Sequence, residues 1–588
     1  MPKYYARFFF RSGRSGAARP RTIPRHTALK ALLIGLLLAG PAWRPAQAQA
    51  VVPPWEVAVA LGRDQTPYIR ALTTDEAGNL YLAGFFYDSL RLGDQLLRSR
   101  GGRDGFIAKW NPSTTRFEWA QQLAGAENEE VITLATADSS VYLTGTFTSS
   151  SVRLGTLLQA AQGGTGDDNA FVAKLSATRT GPVATWLQLI GGGGAVLNTL
   201  AVAAPHVYVG GACYGPLRFG RTQLADRPSL GGLNAFVAKL TDTGPSARRE
   251  WAHAAGGALS ALAVGQQGLF LAGSFRGVAG ELSPEALPTS GNGNRYLYVA
   301  KLVDTGAAGL LSWVQPAAYA QSAWVSALAV RDSSVYIGGS FFDKTLRLGT
   351  SVLTNARHGG GTDIFVAKLT DTGAAGRFTW AQRLGGQGYD ECQGLAVNET
   401  GLYLAGEFGH SLDAGPGRVA SVGGQDLLVA QLRDAGPTAT VAWAQSLGSP
   451  ANDAAWAIAL RGPRVYVAGH LVTPIRVGAG PLVEHSFVGL LRAPVPGPER
   501  AAGSPVALEL YPNPARGSVR VALAALAGGT QATLTLVNAR GQVVRRTTQT
   551  VSETGLDYAW SLAELSAGIY LLQVQAGATR LSRRLVVE

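Results

Sequence analysis

The feature that most constrains this chain is a module repeated seven times. A tryptophan recurs at Trp55, Trp119, Trp186, Trp251, Trp313, Trp380 and Trp443, at intervals of 62 to 67 residues. A period of this length marks a supersecondary unit that cannot bury its own apolar faces and must stack on copies of itself. The fifth copy contains Trp313, then SALAV at 326–330, VYIGGSF at 335–341 and IFVAKL at 364–369. Short β-branched and aromatic runs alternate with Gly, Asp, Ser and Thr clusters, the pattern of strands and turns. Tight polar turns such as 75–79, 138–140, 332–334 and 398–401 suit hairpins, because Gly and Asn tolerate positive φ and Asp or Ser can bond the turn backbone. Each module therefore reads as a four-stranded antiparallel meander.

Such a sheet, apolar on both faces, needs neighbours on both sides and protection at its edges. Radial stacking supplies both, so the expected fold is all-β: a seven-bladed β-propeller over residues 49–491. The "ALAV" runs take the innermost position and the Trp runs the outermost. On that phasing the last module lacks an outer strand, and the isolated run 55–61 is expected to supply it and close the ring. A small residue repeats at Gly84, Gly145, Gly211, Gly273, Gly339, Gly406 and Gly469. Its expected role is a bulge or a close backbone approach.

The formal charge of +12 is unevenly placed. Residues 1–48 carry nine Lys or Arg and no acid, which leaves residues 49–491 close to neutral. Nucleic-acid binding needs a basic face, and the repeat region has no such excess. The basic stretch precedes an apolar run at 31–40 and Ala46-Gln-Ala48, so residues 1–48 read as a secretory signal peptide. The apolar run is shorter than the ~20 residues that span a bilayer, and no transmembrane candidate follows signal removal. Cys213 and Cys392 lie in different repeats and are not expected to form a disulfide. No His/Cys metal spacing is present.

Residues 492–505 form a Pro-rich linker, semi-stiff in character. Beyond it, residues 506–588 contain seven candidate strands whose alternation suggests a small Ig-like β-sandwich. Four motifs stand in order there. They are Tyr511-Pro512-Asn513-Pro514, the run 537–544 with Gly541, the run 565–570 with Gly568 and Tyr570, and the run 583–587. Together they resemble the type A C-terminal sorting domain of the type IX secretion system. The resemblance implies passage across both membranes with the type IX machinery as partner. It also implies removal of the sorting domain, and either attachment to surface lipopolysaccharide or release. The location would be extracellular or the outer-membrane cell surface. The repeats are similar to the seven-bladed propeller repeats of secreted bacterial proteins, carried by residues 361–369 and 101–110. That similarity implies architecture and no single activity.

Candidate ligand contacts are few. The repeated Trp residues are expected to pack between blades. Trp324 and Trp456 fall outside that register, near the start of inner strands, and are candidates for ligand contact. Acids also gather there: Asp64, Glu129, Glu130, Asp390, Glu391 and Asp453. Glu129, Asp390 and Asp453 could meet a ligand, or serve as a carboxylate pair for a polysaccharide lyase or glycoside hydrolase, which needs two groups fixed across a cleft. Their plainer expected role is to cap turn backbone groups. No cofactor is implied. Calcium, which needs about six converging oxygens, stays open. The recurrent lysines Lys109, Lys174, Lys239, Lys301 and Lys368 are expected to be solvated, near Asp242, Asp304 or Asp371. The expected role is a non-enzymatic binding or scaffold module for glycan or protein, with the enzyme as the alternative.

Overall fold

The computed structural model describes residues 52–588 apart from 62–66, 163–166, 179–180, 193, 226–232, 256, 277–294, 320–321, 358–359, 416, 478–481, 494–507, 524–530, 539–541, 552–555 and 577–578. The expected signal peptide and most of the expected linker lie outside the described residues. The described chain is all-β.

The repeats form seven four-stranded units, here called sheets and numbered by their innermost strands: Tyr68–Thr74, Glu129–Ala137, Val196–Ala203, Ala258–Gly265, Ala323–Arg331, Glu391–Asn398 and Ala454–Arg461; the fifth and sixth are joined by pairing of Gly385 and Gly386 with Asp413 and Leu412. In sheets 1 to 6 four antiparallel strands run outward in chain order. Sheet 5, for example, continues through Ser334–Phe341 and Asp363–Asp371 to the Trp380 strand Gly376–Gly386. Sheet 7 takes its outer strand from the other end of the repeat region: Trp55–Ala60 pairs with Leu482–Arg492, Trp55 opposite Leu491. Apolar clusters bridge neighbouring sheets. Trp119 of sheet 1 shares one with Val131 and Leu143 of sheet 2. Val59, Tyr466 and Val488 of sheet 7 share another with Ile69, Leu82 and Phe106 of sheet 1. The last sheet thus packs on the first.

In sheets 1 to 6 the repeated glycine meets a backbone carbonyl of its own sheet, and in sheet 7 Gly469 meets Leu427 and Phe487 side chains instead. Every innermost strand carries one unpaired residue, a β-bulge, opposite the repeated glycine; in sheet 5 the register jumps from Val325–Gly339 to Ala327–Gly338. A bulge kinks the strand and turns a carbonyl inward. A Cβ on Gly339 would lie 2.0 Å from the Trp324 carbonyl oxygen, and on Gly273 2.0 Å from that of Ala258. Only glycine admits this approach.

Two features depart from a plain meander. The connection between second and third strands often carries its own hairpin, as at Thr345–Leu348 with Ser351–Thr354. Its Leu346 and Leu348 are buried with Trp313 of the preceding sheet, so the hairpin covers the outer seam. The second departure is a correction: four of the five lysines expected to be solvated are buried. Lys174, Lys239, Lys301 and Lys368 each place Nζ 2.6 Å from an aspartate of the next sheet, Asp242, Asp304, Asp371 and Asp434. Trp186, Trp251, Trp313 and Trp380 donate Nε1–H to the other oxygen of the same four acids at 3.0–3.1 Å. Lys109 instead pairs with Glu118 of its own sheet.

Residues 508–588 form two antiparallel sheets, one of three strands and one of four, around a common apolar cluster that includes Val521, Leu534, Trp560 and Leu572.

Candidate functional site

The acids before the innermost strands are held by backbone rather than by one another. Asp390 accepts the N–H of Gly386 at 2.8 Å and that of Gly409 at 3.2 Å. Asp453 accepts the equivalent N–H of Ser449, its hydroxyl at 3.0 Å, and the N–H of Val472 at 2.8 Å. Glu129 accepts the Ser149 hydroxyl. All three are buried, and they belong to sheets 2, 6 and 7. Each ties the loop entering its sheet to the end of the second strand, which is a capping geometry. Burial, with the charge of Asp104 added, pushes Glu129 up to about 7. Burial, with Asp363 added, does the same to Asp390. Among the described residues no group of three His, Cys, Asp or Glu is placed to hold a metal ion. Cys213 and Cys392 are separate, buried and unbridged.

The bulge residues are Arg70, Ile132, Asn198, Ser260, Ser326, Gln393 and Trp456. All occupy innermost strands at one height. Five are neither charged nor aromatic. Arg70 and Trp456 break the pattern, and they are neighbours because sheet 7 abuts sheet 1. The Arg70 guanidinium carbon lies 4.7 Å from the Trp456 ring centroid and 5.5 Å from that of Phe85.

A column of rings runs alongside. Phe85 stacks on Tyr68 at 4.9 Å, Tyr68 on His470 at 5.3 Å, and His470 meets His485 at 6.0 Å. Arg103 caps the other end, 4.8 Å over Phe85, and pairs with Glu130 of sheet 2 at 3.2 Å. The column crosses from sheet 1 into sheet 7 at the seam where the chain ends meet. Trp456 Nε1, His470 Nδ1 and Arg103 Nε are buried and lack a hydrogen-bond partner within the protein. Buried polar atoms of this kind cost free energy unless water or a ligand completes them. Burial foremost, with His485 beside it, lowers the pKa of His470, and Asp453 opposes that.

Of the residues proposed from sequence, Trp456 and Asp453 sit together at this seam. Trp324 lies on sheet 5, half-buried, and Glu129 and Asp390 are enclosed elsewhere. Tyr68, Arg70, Phe85, Arg103, His470 and His485 escaped the sequence reading. The signal that finds Arg70 is its charge, since no other residue at the same repeat position carries one.

In the C-terminal region Asn513 fixes its loop to the last strand: its amide donates to the Arg584 carbonyl at 2.7 Å and its oxygen accepts the Val586 N–H at 2.8 Å. Pro512 and Pro514 follow cis peptide bonds, and Tyr511 between the loop and its strand is exposed. Tyr570 is buried and donates to the Ser566 carbonyl at 2.8 Å, and Gly568 opens the strand Gly568–Ala576. Gly541 lies outside the described residues.

Among solved structures, the chain is similar to a prolyl endopeptidase studied for inter-domain dynamics (11% identity, TM-score 0.31), covering 75% of this chain and 53% of that one. This chain thus spans about half of that enzyme's length. It is also similar to a Trypanosoma rangeli sialidase (8%, TM-score 0.29, 90% and 87% covered) and to a family 32 glycoside hydrolase from Bifidobacterium adolescentis (9%, TM-score 0.23, 90% and 81%). Scores this low transfer no function. No curated protein matches the sequence. The family model described as "Secretion system C-terminal sorting domain" matches residues 509–588. The chain therefore ends in a type IX secretion sorting domain, which makes it a secreted or cell-surface protein.

Proposed function

We propose that residues 55–492 form a seven-bladed β-propeller that acts, after export, as a non-enzymatic binding module for glycan or protein at the cell surface. The observation that carries this reading is the seam cluster. Where the last of seven similar units meets the first, the repeat pattern is broken, and there guanidinium, indole and imidazole groups gather with hydrogen-bonding capacity left over. Binding residues set on a stiff scaffold are the usual way such a fold acquires specificity. The acids that a hydrolase would need are each occupied as caps in different sheets. The C-terminal domain delivers the ring to the type IX machinery, is removed there, and leaves the mature protein joined to surface lipopolysaccharide or released.

The test is to screen the mature protein on glycan and outer-membrane-protein arrays while assaying polysaccharide depolymerisation. Saturable binding without chain cleavage is expected. Cleavage that survives purification and disappears with Asp390→Asn or Glu129→Gln would overturn the reading.

A further inference from the structure

Resting on the binding-module reading, we propose that the seam between sheets 7 and 1 takes an anionic sugar residue, a pyranose bearing a carboxylate or sulfate. Arg70 serves as the anion fork and Trp456 as the ring platform.

Arg70 is half-buried on an innermost strand, and among the described residues no carboxylate pairs with it. A guanidinium laid against an aromatic ring is held in orientation while its N–H edge stays available, and that edge matches the two oxygens of a carboxylate or sulfate. The neighbouring unsatisfied atoms include two obligate donors, Trp456 Nε1 and Arg103 Nε, and His470 Nδ1, which donates in the matching tautomer. One acceptor, Glu130 Oε2, stands among them and already faces Arg103, so donors are in excess and call for an acceptor-rich ligand. Trp456 is also half-buried and supplies an apolar ring of the kind that sugar rings pack against.

The rest of the ring favours a polyhydroxyl chain over a protein surface. At the height of Arg70 and Trp456, four of the other five innermost strands offer the amides of Asn198 and Gln393 and the hydroxyls of Ser260 and Ser326, and the fifth carries Ile132. These small donors and acceptors suit sugar hydroxyls. The residues lie on strands that face inward, so a slender chain reaches them where a flat protein face does not.

The experiment is calorimetric titration of the full-length exported protein with four probes: short oligogalacturonate, its methyl ester, a sulfated galactan fragment and a neutral galactan fragment. Oligogalacturonate or the sulfated fragment should bind, the stronger of the two identifying the anion. The uncharged counterparts should bind about ten-fold more weakly or worse. Arg70→Lys keeps the charge without the fork and should lose part of that discrimination. Arg70→Gln should abolish it. Trp456→Ala should weaken charged and neutral probes alike. Thermal midpoints verify that each variant is folded.

Equal binding of acid and ester would overturn the anion assignment and leave the binding-module reading standing. Failure of every sugar, with a protein captured on the arrays, would overturn the sugar assignment alone. Degradation of a probe would overturn the binding-module reading itself.

Discussion

The carboxylates of the outer clasps and those of the inner rim come from the same repeat, yet their surroundings drive them in opposite directions. Burial alone would raise Asp304. Lys239, Tyr208, the Gly306 N–H and Trp251 outweigh it and hold the acid at about 2. Asp242, Asp371 and Asp434 are lowered in the same way, against burial, each by its lysine first. At the rim Glu129 and Asp390 accept hydrogen bonds from neutral donors and each faces a second acid, burial wins even against the Arg383 charge near Asp390, and both rise to about 7. Burial by itself therefore says nothing about the charge state of an acid in this fold. The partner decides.

The largest test of the comparison is to strand a cation. Lys301 and Asp371 are the most enclosed clasp pair, with side chains 3% and 2% exposed. Asp371→Ala leaves Lys301 buried without its counterion and should cost about 3–5 kcal/mol in urea denaturation. A loss below ~1 kcal/mol would mean that the clasp is ornamental.

The second test uses acid. A lowered native pKa means that the unfolded chain binds the proton first as pH falls, so the stabilisation is complete above about pH 4 and vanishes on descent through about 2. For Asp304 this limb amounts to about 2 kcal/mol, and Asp304→Asn should remove it from the pH–stability curve. A curve unchanged below pH 4 would contradict the assignment.

A third test rebuilds a clasp where the sequence lacks one. Sheet 6 has Gln431 in place of lysine, and Trp443 Nε1 is buried without a partner. In sheet 7, buried Ala493 occupies the place of the clasp aspartate. The double variant Gln431→Lys with Ala493→Asp should show a favourable coupling of about 1–2 kcal/mol in a double-mutant cycle. Strict additivity would show that the clasp does not transfer between seams.

The last test belongs to the rim. A raised native pKa makes the folded state hold a proton that the unfolded chain has released, so stability declines as pH rises from about 4 to about 7 and then levels. Asp390→Asn should flatten that decline by about 2–3 kcal/mol, read from urea midpoints at pH 5 and pH 8. An unaltered difference between the two pH values would show that Asp390 is ionised throughout.

Much of the architecture was legible before any coordinates. The Trp period, the "ALAV" and "FVAKL" runs and the turn residues report local strand and hairpin preferences, which depend on near neighbours in the chain. The expectation that residues 55–61 complete the last module followed from counting strands, and Trp55–Ala60 does pair with Leu482–Arg492. The motifs from Tyr511 to Tyr570 sufficed to read the C-terminal region as a sorting domain, the family that matches it.

What stayed hidden depends on distance in sequence. Lys301 and Asp371 are 70 residues apart, and nothing in a linear reading makes a lysine in a strand a buried counterion rather than a solvated one. Arg70 and Trp456 belong to the first and last repeats, and only the closing of the last sheet on the first brings them within 4.7 Å. The repeating pattern by itself determined which residues form strands and which faces are apolar, because those are consequences of local periodicity. The packing of one sheet on the next decided which charges are paired, which acids hold their protons and where the repeat pattern is broken. Those outcomes are set by electrostatics and contact between residues that the chain alone keeps far apart.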